Sequence, residues 1–206
     1  MKEMVDRRWL MLLAVLVEGG LGLAACIVGW LLGVHPWGRA TWSGAEASLG
    51  VAATGPMLVV FLLCLIVPLK PLRRIRRFAD EVIRPLFLPC TLLDLAVICA
   101  LAGWGEEMLF RGLLQPLLGE YLGTWAGVVA TSLLFGLFHP ISLAYFVLAT
   151  AFGLYLGAIV LLREGLLAVM VAHGLYDFIA LVYVVRWQRP PQSPQVGATE
   201  PSHAEA

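Results

Sequence analysis

Charge is what this sequence has least of. Of its 206 residues only 14% are charged, with 14 Lys and Arg against 14 Asp and Glu, where a soluble domain usually carries about 25%. The balance is zero, so the net charge gives no argument for nucleic-acid binding. Cysteine is also sparse. Cys26, Cys64, Cys90 and Cys99 sit inside apolar runs without CxxC spacing. That excludes a zinc knuckle and a disulfide framework, and leaves four small buried hydrophobes. No HExxH pair is present, no internal repeat is visible, and the first apolar run is too long for a cleavable signal.

What is abundant is apolar side chain, at 60% of the residues. A soluble core of this size could not hide so much apolar surface, so lipid must solvate it. Spanning segments are expected over residues 9–34, 49–69, 86–118, 124–139, 141–162 and 166–185. The third would be about 50 Å long as one straight helix, too long for a ~30 Å hydrocarbon core. Gly103 and Gly105 offer a kink or break near its middle. The expected fold is all-α, a polytopic transmembrane bundle of about six to seven spans.

The few charges cluster between these runs. Six of the fourteen Lys and Arg residues fall between Lys70 and Arg84, which marks a cytoplasmic loop under the positive-inside rule. Six crossings then put both termini, Lys2, Arg7, Arg8, Arg186 and Arg189 on that same side, with Arg39 and Arg163 opposite. His139 would fall near the cytoplasmic end, so some helix must be short or tilted. Residues 1–85 read as two spans and the basic loop, 86–186 as the motif-bearing core, and 187–206 as a disordered polar tail.

An ionisable group inside a span costs about 2.5–3.5 kcal/mol and needs a reason. The second half of the chain holds three sets: Glu106-Glu107-x-x-x-Arg111, Phe135-x-x-x-His139, and His173-x-x-x-Asp177. In a helix Glu107 and Arg111 share a face and can pair. Glu106 is turned by about 100° from Glu107 and is free to meet another helix, where it can serve as a general base. His173 and Asp177 also share a face and can bond, fixing the imidazole tautomer. Phe135 is a packing wall one turn before His139. Each motif alone could be a structural tie. Three on three segments point to one functional centre.

These letters, with Glu-Glu-Met-Leu-Phe-Arg-Gly-Leu-Leu-Gln at 106–115, Leu-Leu-Phe-Gly-Leu-Phe-His at 133–139 and Ala-His-Gly-Leu-Tyr-Asp at 172–177, resemble the CAAX-protease and bacteriocin-processing (CPBP, Abi) family. The resemblance covers roughly residues 86–186. It implies an intramembrane endopeptidase in the membrane of a bacterial cell, acting on a membrane-associated polypeptide. Glu106 and His139 would activate water, Arg111 would hold the Glu pair, Glu107 would support the water or Glu106, and His173 with residue 177 would stabilise the oxyanion. Asn is commoner at the last position, and an ionised Asp cannot donate a hydrogen bond. Asp177 is therefore protonated, or orients His173, or is a metal ligand. The resemblance implies either a glutamate-type or a zinc enzyme. No required cofactor is the expectation, with Glu106, His139, His173 and Asp177 as the alternative Zn2+ ligands. Other functions compatible with these residues are an inactive immunity or scaffold protein and a proton-coupled transporter.

Two small-xxx-small pairs, Gly123/Gly127 and Gly153/Gly157, are expected to pack helices around the site. Asp94 could line the cavity or sit near the interface.

Overall fold

A computed structural model describes residues 6–37, 41–163 and 165–187. Among them every regular element is a helix: α1 Arg7–Leu31, α2 Gly44–Ile66, α3 Lys70–Phe87, α4 Leu92–Leu122, α5 Thr124–Leu137, α6 Leu143–Arg163 and α7 Leu167–Trp187. The all-α membrane bundle expected from the apolar runs is what forms. Four helices, α1, α2, α6 and α7, are long and apolar enough to cross a bilayer, and α3 with α4 makes a fifth if that bent pair counts as one span. The remaining apolar segment, α5, has 14 residues, or about 21 Å of rise. It is the short helix that the position of His139 demanded. The expected sites of Lys2, Arg39, Arg189 and the polar tail lie outside the described residues.

Lipid-facing surface is plain on α1, where Leu16, Val17, Leu23, Ile27 and Trp30 are all exposed. No soluble fold leaves such a stripe uncovered.

The long apolar stretch does break, but not at its glycines. It turns at residues 88–91, where α3 and α4 meet at 115°. The physical cause is a start signal. Thr91 and Asp94 form a reciprocal capping box, which satisfies free N–H groups at the head of α4 and begins a new helix there. Arg7 clamps the same carboxylate through Nε at 2.6 Å and a second nitrogen at 2.9 Å. Asp94 is thereby a helix cap tied to α1 rather than a cavity residue.

Gly103 and Gly105 stay inside α4 and serve packing. A methyl at Gly103 would lie 2.8 Å from the backbone nitrogen of Gly174, and one at Gly174 would lie 3.0 Å from the Cys99 carbonyl. The two glycines let α4 and α7 touch backbone to backbone. Gly105 performs the same service for α1, whose Glu18 carbonyl occupies the place a side chain would need.

Gly153 and Gly157 of α6 leave their carbonyls open to α4. Arg111 donates to the first at 3.2 Å and Gln115 to the second at 3.1 Å. Gly127 sits against Gly119, while Gly123, at φ 90°, makes the turn between α4 and α5.

Candidate active site

Three elements bring the motif residues together: α4 carries Glu106, Glu107 and Arg111, the turn just past α5 carries His139, and α7 carries His173 and Asp177. Directly after the glutamates α4 widens into a π-type turn over Met108–Leu114, with the Gln115 N–H reaching back to the Phe110 carbonyl. Pro116 explains the need. It has no N–H for the residue 112 carbonyl and its ring crowds that position, and a wider turn relieves the clash. Such turns are frequent at functional sites.

The two adjacent glutamates have opposite surroundings. Glu107 is fully buried, and one of its oxygens accepts hydrogen bonds from Arg111 at 2.9 Å and from His173 Nδ1 at 2.8 Å. Arg111 is equally buried and lies 4.5 Å from the Phe135 ring centroid. The clamp thus joins α4, α6 and α7 through an arginine and a histidine on one carboxylate oxygen, with an aromatic lid. Charges this deep persist only when paired and hydrogen-bonded.

Glu106 instead turns toward the cavity. Its Oε2 lies 3.9 Å from His139 Nε2 and has no hydrogen-bond partner. His139 is held from behind, with Nδ1 2.8 Å from the Phe135 carbonyl oxygen. A carbonyl can only accept, so Nδ1 carries a proton, and the lone pair of the neutral ring is on Nε2, toward Glu106. Phe135, read from the sequence as a wall, does more than that. Its ring covers Arg111 and stacks near both His139 and His173.

His173 stands between two carboxylates, with Nδ1 on Glu107 and Nε2 3.3 Å from Asp177 Oδ2. The pairing of His173 with Asp177 was legible from spacing; the bond to Glu107, from a helix 66 residues away, was not. Of the two ring nitrogens of His173, Nδ1 is engaged by Glu107 and Nε2 faces Asp177. No group of three or more His, Cys, Asp or Glu among the described residues is placed to hold an ion.

A cavity of about 430 Å³ opens onto the Glu106 and His139 side, with Phe61, Ile75, Phe78 and Phe87 among its apolar walls. A smaller one of about 80 Å³ lies toward His173 and Phe135. His139, Tyr145, Tyr176 and Asp177 line both. Tyr145 and Tyr176 carried no signal in the sequence, since a tyrosine in an apolar helix is ordinary. Glu18 did carry one, as an acid within an apolar run, and it also lines the larger cavity.

Glu106 and His139, 3.9 Å apart beside a largely apolar cavity in a helical membrane bundle, are placed so that a carboxylate and an imidazole can act on one water. Residues 88–179 match the family model described as Type II CAAX prenyl endopeptidase Rce1-like. That segment is less than half of the chain, and its match agrees with the resemblance to the CAAX-protease and bacteriocin-processing family that the motifs carry, in a chain whose long apolar helices mark an integral membrane protein. No curated protein and no solved structure gives a significant match.

Proposed function

We propose that the chain hydrolyses a peptide bond of a membrane-associated polypeptide, with Glu106 and His139 activating the attacking water. The observation that carries this reading is the 3.9 Å separation between Glu106 Oε2 and His139 Nε2. It is too long for a direct hydrogen bond, and it is a span that one water bridges by donating to both atoms. Such a water gives a proton to Glu106 as its lone pair attacks the scissile carbonyl carbon. Glu106 then returns that proton to the leaving nitrogen. His139 keeps the water aligned throughout, because its own Nδ1–H is fixed on Phe135.

The clamp of Glu107 and Arg111 has a supporting part, holding the helix turn that presents Glu106 and fixing the His173 ring. Asp177 orients His173 from the other side. The oxyanion is met by donors lining the smaller cavity, where the His173 ring is available once substrate displaces Asp177. The reading is metal-free, supported by the spacing of the ligand-type side chains, no three of which among the described residues are placed to hold one ion. We place the protein in a bacterial inner membrane with both termini cytoplasmic, on the strength of the basic run at 70–84.

The substrate class is a polypeptide tail lying at the membrane, consistent with a largely apolar cavity beside the polar pair. The test uses purified enzyme in lipid vesicles and a panel of fluorogenic peptides: farnesylated tails ending in CAAX, their unprenylated twins, and transmembrane segments. Cleavage of at least one by wild type, abolished in Glu106→Gln and His139→Ala, is expected. Equal product from all three enzymes, or none from wild type on the whole panel, overturns the reading. Cleavage confined to the farnesylated peptides assigns a prenylated substrate.

A further inference from the structure

One carboxylate at this centre belongs to none of the three motifs and lies outside the matched segment. Glu18 sits near the middle of α1, a helix otherwise clad in lipid-facing leucine, valine and tryptophan. An acid at that depth is costly unless it has work to do. The helix is shaped around it: Val15–Gly19 forms a π-type turn, the second such widening beside the site. At this turn α1 and α4 come into backbone contact, because Gly105 has no side chain to hold off the Glu18 carbonyl. Gly22, one turn later, lies under the Trp104 ring in the same way. The small residues of both helices therefore fix Glu18 beside the residue that precedes Glu106.

The carboxyl group itself points into the ~430 Å³ cavity with Glu106, His139 and Asp177. The titratable groups facing it are Glu106, His173, Asp177 and His139. Oε2 of Glu18 and Oε2 of Glu106 are both buried, and neither has a hydrogen-bond partner in the protein. Two carboxyl groups lining one cavity repel each other when both are ionised, and a proton held between them relieves that repulsion.

We propose that Glu18 is a positioning residue for Glu106, donating a hydrogen bond to it through one water. That bond holds Glu106 Oε2 toward His139 and leaves Glu106 as the ionised, proton-accepting member of the pair. The N-terminal helix thus completes the centre that the motif-bearing helices begin. The inference rests on the peptidase reading above, and its test is built so that the two can fail separately.

Wild type, Glu18→Met, Glu18→Ala, Glu18→Gln and Glu106→Gln are compared in vesicles on whichever peptide of the panel wild type cleaves fastest. Glu18→Met keeps length and loses the donor; Glu18→Ala stands in if it does not fold, judged by thermal melting in detergent. The expected result is a fall in kcat of about 10- to 100-fold with KM within twofold for the apolar variant. Glu18→Gln, whose amide still donates, recovers kcat to within severalfold of wild type. A purely structural role would move melting temperature and leave kcat, and would not separate Gln from Met. Wild-type kcat in the apolar variant, or equal losses in Met and Gln, overturns the assignment of Glu18. Full activity in Glu106→Gln overturns the peptidase mechanism instead.

Discussion

Glu106 and Glu107 are neighbours in the chain and opposites in the fold. Each keeps one oxygen without a hydrogen-bond partner, but Glu107 is closed in, its other oxygen accepting from Arg111 and His173, while Glu106 faces a cavity. The difference follows from about 100° of helical rotation. A carboxylate tied to two donors and shut away from any cavity holds helices together, and one that lines a cavity is available to a reactant. The same division separates the regions around them: a dense clamp of α4, α6 and α7 on one side, an open apolar cavity reaching α1 and α3 on the other.

Substitutions can break this comparison from either end. The largest effect is expected at the open end, where Glu106→Gln should lower kcat by about 10³-fold while leaving the melting temperature at or above wild type, since a general base contributes roughly 10²–10⁴-fold. His139→Ala should follow with a loss of about 10²-fold, again with little change in melting. Peptide hydrolysis and detergent melts on the same preparations check both.

At the closed end the signs exchange. Arg111→Met strands the buried Glu107 carboxylate and should destabilise the fold by about 3–5 kcal/mol, read as a large drop in melting temperature. If Arg111→Met melts like wild type, Glu107 is not held by this pair and the comparison fails. A smaller effect is expected at the edge between the two regions. Asp177→Asn should keep or improve turnover if residue 177 faces the oxyanion, because the amide donates where the carboxylate cannot; a loss would favour a ligand role. The smallest belongs far from the centre. Asp94→Ala removes a cap and a half-exposed ion pair with Arg7, worth about 1 kcal/mol of stability, with no change in kcat. Metal depletion by a chelator should leave hydrolysis unchanged; activity lost and restored by zinc would reverse the metal-free reading.

Much of the centre was legible because its pairs are local. Glu107 with Arg111 and His173 with Asp177 are four residues apart, and helix geometry alone makes them neighbours. The short α5 was implied by where His139 had to fall. The break in the long apolar stretch was anticipated and put at the wrong place. Gly103 and Gly105 look like kink points in a linear reading, whereas the capping signal at Thr91 and Asp94 decided where α4 begins. Glycines favour a kink only when nothing packs on them, and here α7 and α1 do.

By itself the sequence determined that the chain lives in lipid, that it is helical, and which polar residues cost too much to be idle. Composition and i, i+4 spacing suffice for that, because both act over one turn of helix. Only the tertiary structure decided that His173 bonds Glu107, that Glu106 faces His139 across a gap, and that Glu18 joins them from a helix about 90 residues earlier in the chain. Those contacts depend on how closely α1, α4 and α7 approach. That approach is set by glycines whose packing partners are fixed only once the helices have docked.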